Sequence, residues 1–184
     1  MKSTRVLGVT LALLGSLGSY TTANATNGAS QFAARLSGFN EVPLAILSPG
    51  TGTFELSLNA GTASYTLSYS GFTTPVTEAH IHFGKKHNAG GHLVFLCSNL
   101  GNAPAGTPAC PQFEGTVSGT ITASQITGIE PQNFPEGDFN ALVSAIVSHT
   151  TYANVHTTKF PAGEVRGQIH NANRSDSSTP QTPQ

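Results

Sequence analysis

Strict alternation of apolar and polar residues in two neighbouring segments, 51–59 and 63–71, limits what this chain can fold into. Side chains of a β-strand point alternately to the two faces of a sheet, so each segment predicts a strand with one buried face. The short link "AGT" between the two strands predicts a hairpin. The residues on the apolar sides are Phe54, Leu56 and Leu58 in the first segment and Tyr65, Leu67 and Tyr69 in the second.

Further segments of strand length, separated by turn residues, extend this pattern along the chain. They are 31–38, 76–83, 92–97, 113–123, 152–157 and 163–169. One segment differs, because Phe139, Leu142, Val143 and Ile146 recur at helical spacing behind Asp138, a suitable N-cap. We therefore predict an all-β fold, an antiparallel sandwich of 7–8 strands with one short helix over one end.

The N-terminus has the features of an export signal. A short positive segment precedes an apolar run, and Ala23-Asn24-Ala25 has the spacing that a signal peptidase accepts. We predict a signal peptide over 1–25, a short leader over 26–30, one domain over 31–170 and a disordered polar tail over 171–184. The protein is then secreted or periplasmic.

Charge and hydropathy limit the classes of partner. Without Lys2 and Arg5, six of the 8 basic residues remain against 9 acidic residues, and they form no basic stripe. Nucleic acid is therefore a poor partner. No later stretch has the ~20 apolar residues of a membrane span. The composition is compatible with an extracellular or envelope partner, but it does not identify one.

The two cysteines, Cys97 and Cys110, bracket a turn-rich loop. In an exported protein such a pair predicts a disulfide bond. Two reactive thiols are the other interpretation, but the sequence has neither a CxxC spacing nor an adjacent base to support it.

"EAHIHFG" (78–84) carries two histidines one residue apart. In this strand Ala79, Ile81 and Phe83 share the core face, and Glu78, His80 and His82 share the other face. The closing hairpin would bring His156 near Glu164 and Arg166 on its own outer face.

Three imidazoles in one patch would suit copper or zinc. His80, His82 and His156 are the candidate ligands, and Glu164 could orient one of the rings. Arg166 could attract a small anion. His87 and His92 are possible extra ligands. The alternative is a solvated histidine face, with Glu164 and Arg166 forming a structural ion pair.

Several stretches together resemble the CHRD domain, which is named from chordin. The resemblance runs from about 31 to 170, and "GEVRG" (163–167) is its most specific motif. The other matching stretches are "FAARLSGFNEVP" (32–43), "GTGTFELSLN" (50–59), "LSYSGF" (67–72), "AHIHFG" (79–84), "VFLC" (94–97), "GTITA" (119–123), "YANVHT" (152–157) and "FPAGEVRGQI" (160–169). The resemblance to the CHRD domain implies an immunoglobulin-like sandwich in an extracellular binding or structural module, with no established enzymatic activity.

The resemblance also implies a remote similarity to the copper/zinc superoxide dismutase sandwich. His80 and His82 then look like that family's copper-binding HxH strand, His156 like its late copper histidine and Arg166 like its substrate-guiding arginine. No aspartate lies between 84 and Asp138 to complete a zinc site. The similarity therefore implies a copper-only relative or a metal-free descendant.

Overall fold

A computed structural model of the 184-residue chain describes residues 30–172. The predicted signal peptide, and most of the predicted leader and tail, lie outside the described residues.

The described chain contains strands, three short 3₁₀ helices and a single α-helix. The strands are β1 (Ser30–Ser37), β2 (Thr51–Asn59), β3 (Thr62–Ser70), β4 (Val76–Phe83), β5 (His92–Ser98), β6 (Gly115–Ile121), β7 (Thr151–Thr157), β8 (Val165–Gln168) and β9 (His170–Asn171). The 3₁₀ helices span Gly38–Asn40, Ala123–Gln125 and Glu130–Gln132, and α1 spans Phe139–Val147. The predicted all-β class with one short helix is confirmed.

The strands form one antiparallel path that curls back on itself. Its order is β5-β4-β7-β8-β1-β2-β3-β6, with β9 paired to β1. The two ends of the path, β5 and β6, contact each other, so the sheet is nearly closed. The predicted hairpin is the β2–β3 pair, and Gly61 takes a φ of 74° in its turn, which suits glycine.

The segment predicted as the last strand, 163–169, contains β8, and the two-residue strand β9 follows it. β8 lies between β7 and β1, with Arg166 paired to Ser37, and His170 of β9 pairs with Ala33 of β1. Glycine is needed here because a Cβ on Gly167 would lie 2.3 Å from the carbonyl oxygen of Arg35. The backbones of β8 and β1 therefore approach each other closely at this position.

The apolar sides of the strands pack into one core, with Phe54, Leu67 and Ile81 among its fully buried members. Helix α1 adds Leu142 and Ile146 to this core. The Asp138 carboxylate accepts a hydrogen bond from the Ala141 N–H at 2.9 Å, so the predicted N-cap is confirmed.

The predicted disulfide is confirmed. Cys97, in β5, and Cys110 are joined with their Cα atoms 5.1 Å apart. Inside the loop that this bond closes, Asn99 donates its side-chain amide to the carbonyls of Val76 and Cys110. The loop is thereby held against the start of β4, the strand that carries two of the candidate ligands.

Candidate metal centre

Three adjacent strands build one polar face out of alternate residues. His80 lies opposite Asn154 in the β4–β7 pairing, and Asn154 lies opposite Arg166 in the β7–β8 pairing. The residue pairs two positions away on either side point to the same face. The resulting face consists of Glu78, His80 and His82 from β4, Tyr152, Asn154 and His156 from β7, and Glu164, Arg166 and Gln168 at β8. The sequence prediction that the histidines share a patch with Glu164 and Arg166 agrees with this arrangement.

This face is buried, although it lies on the side of the sheet opposite the apolar core. His80, His82 and His156 are 4%, 8% and 7% exposed, and every residue of β7 is buried. The alternative of a solvated histidine face is therefore wrong. Three loops, at 38–50, 84–91 and 158–164, fold over the strands and exclude water from them.

Two of the histidines are held by backbone carbonyls of these loops. Nδ1 of His82 lies 2.9 Å from the Gly90 carbonyl oxygen, and Nδ1 of His156 lies 3.1 Å from that of Pro161. A carbonyl oxygen only accepts, so each Nδ1 carries the proton and donates it. In a neutral ring, Nε2 then has the free lone pair, which is the arrangement found in metal-ligating histidines.

The remaining ring nitrogens have no hydrogen-bond partner. Nε2 of His82, Nε2 of His156 and both nitrogens of His80 are buried and unbonded within the described residues. One nitrogen from each ring lies within 4.8 Å of those of the other two. Ligands 2.0–2.1 Å from one ion would be about 3.3–3.6 Å apart, so the rings need to move together by roughly 1 Å. The residues fit a metal ion bound through three imidazoles.

Burial keeps the three rings neutral. Desolvation, with smaller contributions from the neighbouring histidines, lowers the pKa of His80 from 6.5 to about 2. Desolvation likewise lowers the pKa of His82 to about 3, against the Gly90 hydrogen bond, which raises it. The pKa of His156 is lowered for the same first reason. Neutral imidazole is the form that binds metal, so the rings are ready as ligands at physiological pH.

Glu164 has other partners than the predicted arginine. Its Oε1 accepts from the Ser48 hydroxyl at 2.5 Å and its Oε2 from the Thr157 hydroxyl at 2.6 Å. Within residues 30–172 no ion pair joins it to Arg166, so the predicted structural pair is wrong. Its hydrogen bonds tie the β1–β2 loop to the end of β7, and none of them reaches a histidine.

Arg166 is packed against an aromatic ring beside the histidines. Its guanidinium carbon lies 3.6 Å from the ring centre of Tyr152, and its Nη1 donates to the Asn88 carbonyl at 3.1 Å. Tyr152 also forms a nearly parallel stack on His82, with 4.8 Å between the ring centres. Arg166 therefore supports a ligand ring through Tyr152.

Glu41, which the sequence did not single out, is buried close to this arginine. Desolvation raises its pKa from 4.5 to about 7, against the charge of Arg166, which lowers it. Tyr152, Asn154 and the two carbonyls that hold the rings were also missed. The period-2 alternation of β7 could have indicated Tyr152 and Asn154. The position of a backbone carbonyl does not depend on residue type, so a sequence cannot indicate it.

The other histidines occupy different places. His92 is exposed, and its ring stacks on His80 with 5.0 Å between centres. His87 is exposed in the β4–β5 loop with a φ of 68°. His149 and His170 lie beside each other, with ring centres 5.1 Å apart.

Comparison with known families decides the classification. The model of the CHRD domain matches residues 32–169. The chain belongs to the CHRD family. No curated protein matches this CHRD chain. The CHRD domain is of an extracellular type, and the Cys97–Cys110 bond agrees with an oxidising compartment. Among residues 30–172, no helix has the length and hydrophobicity that a membrane crossing requires.

Proposed function

We propose that this protein is an extracellular CHRD module that binds a transition-metal ion, with copper as the first candidate, through His80, His82 and His156. The observation that carries the proposal is the convergence of three buried imidazoles, each of which has at least one ring nitrogen with no hydrogen-bond partner among the described residues. Burying an unbonded polar atom costs free energy, and a metal ion would use the lone pairs.

The donor set favours copper or zinc. Imidazole suits both metals, and Cu²⁺ is the divalent first-row ion that nitrogen sites bind most tightly. Three protein ligands leave at least one coordination position for another group. A bound ion would also stabilise the fold, by about 2.7 kcal/mol at a free metal concentration one hundred times the Kd.

The test is the metal content of the full chain, expressed for export so that the disulfide forms, and offered copper and zinc in turn. The His80→Ala/His82→Ala variant serves as the comparison, and His87→Ala is the control because His87 is exposed in a loop. We expect close to one metal ion per chain, lost in the double variant and kept in the control. Equal metal in all three proteins would refute the site.

Redox chemistry of the superoxide dismutase kind is a second candidate. Arg166 favours it, because its positive charge is close enough to lower the pKa of His82 and could attract a small anion. Copper-loaded protein would be assayed for superoxide removal beside an Arg166→Gln variant. A rate equal to that of free buffer would leave the protein as a non-enzymatic binding module.

Binding of a macromolecular partner is compatible with either role. Three large apolar side chains of the β1–β2 loop, Phe39, Leu44 and Leu47, are 69%, 76% and 88% exposed. Exposed apolar residues that cluster in one loop favour an interaction surface over a purely structural role. Pull-down from the extracellular fraction, comparing wild type with Leu44→Ser/Leu47→Ser, tests this part of the proposal.

A further inference from the structure

Glu78 lies at the edge of the histidine cluster on the same strand face. It precedes His80 by two residues in β4 and pairs directly with His156 of β7. Its Oε1 is 3.9 Å from Nε2 of His80, a separation inside the 4.8 Å that spans the three imidazole nitrogens. Its side chain is 15% exposed, so the carboxylate is largely buried at this edge.

From this geometry we propose that Glu78 is a fourth ligand of the metal centre and supplies a carboxylate oxygen beside the three imidazoles. The inference rests on the proposed metal-binding function. It assigns a mixed donor set of three nitrogens and one oxygen.

The surroundings of Glu78 resemble those of a ligating carboxylate. Asn102 donates its side-chain amide to Oε1 at 2.7 Å, and its own Oδ1 accepts a hydrogen bond from the Ser98 hydroxyl at 2.8 Å. Metal-ligating carboxylates are themselves held by such hydrogen bonds. The side-chain hydrogen bond to Oε1 leaves a second lone pair on this oxygen, which is the one near Nε2 of His80, and Oε2 accepts no side-chain hydrogen bond within the described residues.

The disulfide takes part in this support. Asn102 lies inside the loop that Cys97 and Cys110 close, and Ser98 follows Cys97 directly. The loop therefore holds the carboxylate in place through Asn102. This gives the loop a role at the site in addition to its stabilising role.

His92 is the competing candidate for a fourth ligand. Its ring lies nearly parallel to that of His80, with 27° between the planes and 5.0 Å between the centres. Ligand lone pairs lie in the plane of an imidazole ring, so a ring stacked on another directs its nitrogens past the cluster. Its exposure also contrasts with the buried ligands. The geometry therefore favours Glu78.

A carboxylate among three neutral imidazoles has a chemical consequence. It neutralises one charge of a divalent ion and adds an oxygen donor, which favours Zn²⁺ and Cu²⁺ over the softer Cu⁺. Removing it should weaken binding of divalent ions more than binding of Cu⁺. Substitution of groups that merely support a ligand typically costs about 10–100-fold in affinity, so we expect about 100-fold for Glu78→Gln.

The experiment measures Co²⁺ and Zn²⁺ affinity by chelator competition, together with the visible absorption spectrum of the Co²⁺ protein. The proteins are the full chain, Glu78→Gln, Asn102→Ala and His92→Ala, with Glu55→Gln as a matched control because Glu55 is an exposed glutamate in a strand. Glu78→Gln should lose about 100-fold in affinity and shift the Co²⁺ spectrum. Asn102→Ala should lose less affinity and keep the Co²⁺ spectrum of the wild type. His92→Ala and Glu55→Gln should match the wild type in both measurements.

Each other outcome overturns the proposal in a recognisable way. A Glu78→Gln protein that binds more weakly with an unchanged Co²⁺ spectrum makes Glu78 a hydrogen-bond partner of His80 rather than a ligand. An unchanged affinity removes it from the site, and a spectral shift confined to His92→Ala assigns the fourth position to His92. A wild type that binds no metal refutes the proposed function itself, and the Glu78 ligand with it.

Discussion

Acidification of the metal-free protein should destabilise it, because the three buried histidines are neutral in the folded state. The folded-state pKa is about 2 for His80 and about 3 for His82, and that of His156 is also lowered, against 6.5 in the unfolded chain. Below pH 6.5 the unfolded chain binds protons that the folded protein does not bind. Stability present above pH 6.5 is therefore lost as the pH falls towards the folded-state pKa values.

The magnitude follows from these values. Between pH 7.5 and 5, protonation of the unfolded chain contributes about 2 kcal/mol for each of His80 and His82, or about 4 kcal/mol for the two, and His156 adds to the loss in the same direction. Glu41 acts in the opposite direction, because its folded-state pKa of about 7 lies above its unfolded value of 4.5. It offsets about 2 kcal/mol over the same range. His80, His82 and Glu41 together give a net fall of about 2 kcal/mol in the free energy of unfolding, to which His156 adds, and this is a sizeable share of an ordinary domain's stability.

The assay is urea unfolding at pH 7.5, 6.5, 5.5 and 5.0, with the disulfide intact and a chelator present. His82→Phe keeps a ring stacked on Tyr152 but does not titrate, so its stability should fall about 2 kcal/mol less than that of the wild type. Glu41→Gln should steepen the loss by about the same amount. His87→Asn is the control, since His87 is exposed. A wild-type stability that stays constant from pH 7.5 to 5 would refute the neutral buried cluster.

Three further perturbations test the loops and bonds that hold the site. Gly90→Ala places a Cβ 1.8 Å from the Phe83 carbonyl oxygen, so the loop must move. Metal affinity, measured by chelator competition, should then fall about 10–100-fold. Unchanged affinity would show that the Gly90 carbonyl does not orient a ligand. Glu164→Ala leaves the hydroxyls of Ser48 and Thr157 without their acceptor and should lower the free energy of unfolding in urea by about 3 kcal/mol. A loss below about 1 kcal/mol would contradict a stabilising role for these two hydrogen bonds. Cys97→Ala/Cys110→Ala opens the loop between two cysteines with a sequence separation of 13, and should lower the unfolding free energy by about 3 kcal/mol in the same measurement. Equal stability would mean that the unfolded chain is not constrained by the bond.

Local patterns predicted most of the β-structure. Alternation in 51–59 and 63–71 assigned each side chain to a face, since a strand allows two orientations only. The helix over Phe139–Val147 followed from spacing and from the side chain of Asp138, whose cap bond spans three residues. These features depend on neighbours in the chain, which is why the sequence contains them.

The candidate site could be predicted only in part. His80 and His82 face the same way because they are two residues apart, but their approach to His156 depends on the pairing of β4 with β7. The partner of Glu164 was predicted wrongly, because the nearest charge along the chain is Arg166. One of its two actual partners, Ser48, is 116 residues away, and sequence spacing carries no information about such a contact.

The sequence by itself determined the strand faces, the helix, the disulfide and the three imidazoles as a candidate ligand set. Only the tertiary structure decided that these imidazoles are buried. In an isolated strand pair the face opposite the core is wet, and here loops from distant parts of the chain cover it and expel water. That desolvation keeps the rings neutral and leaves at least one nitrogen of each ring unbonded, and the chemistry of the site depends on both conditions.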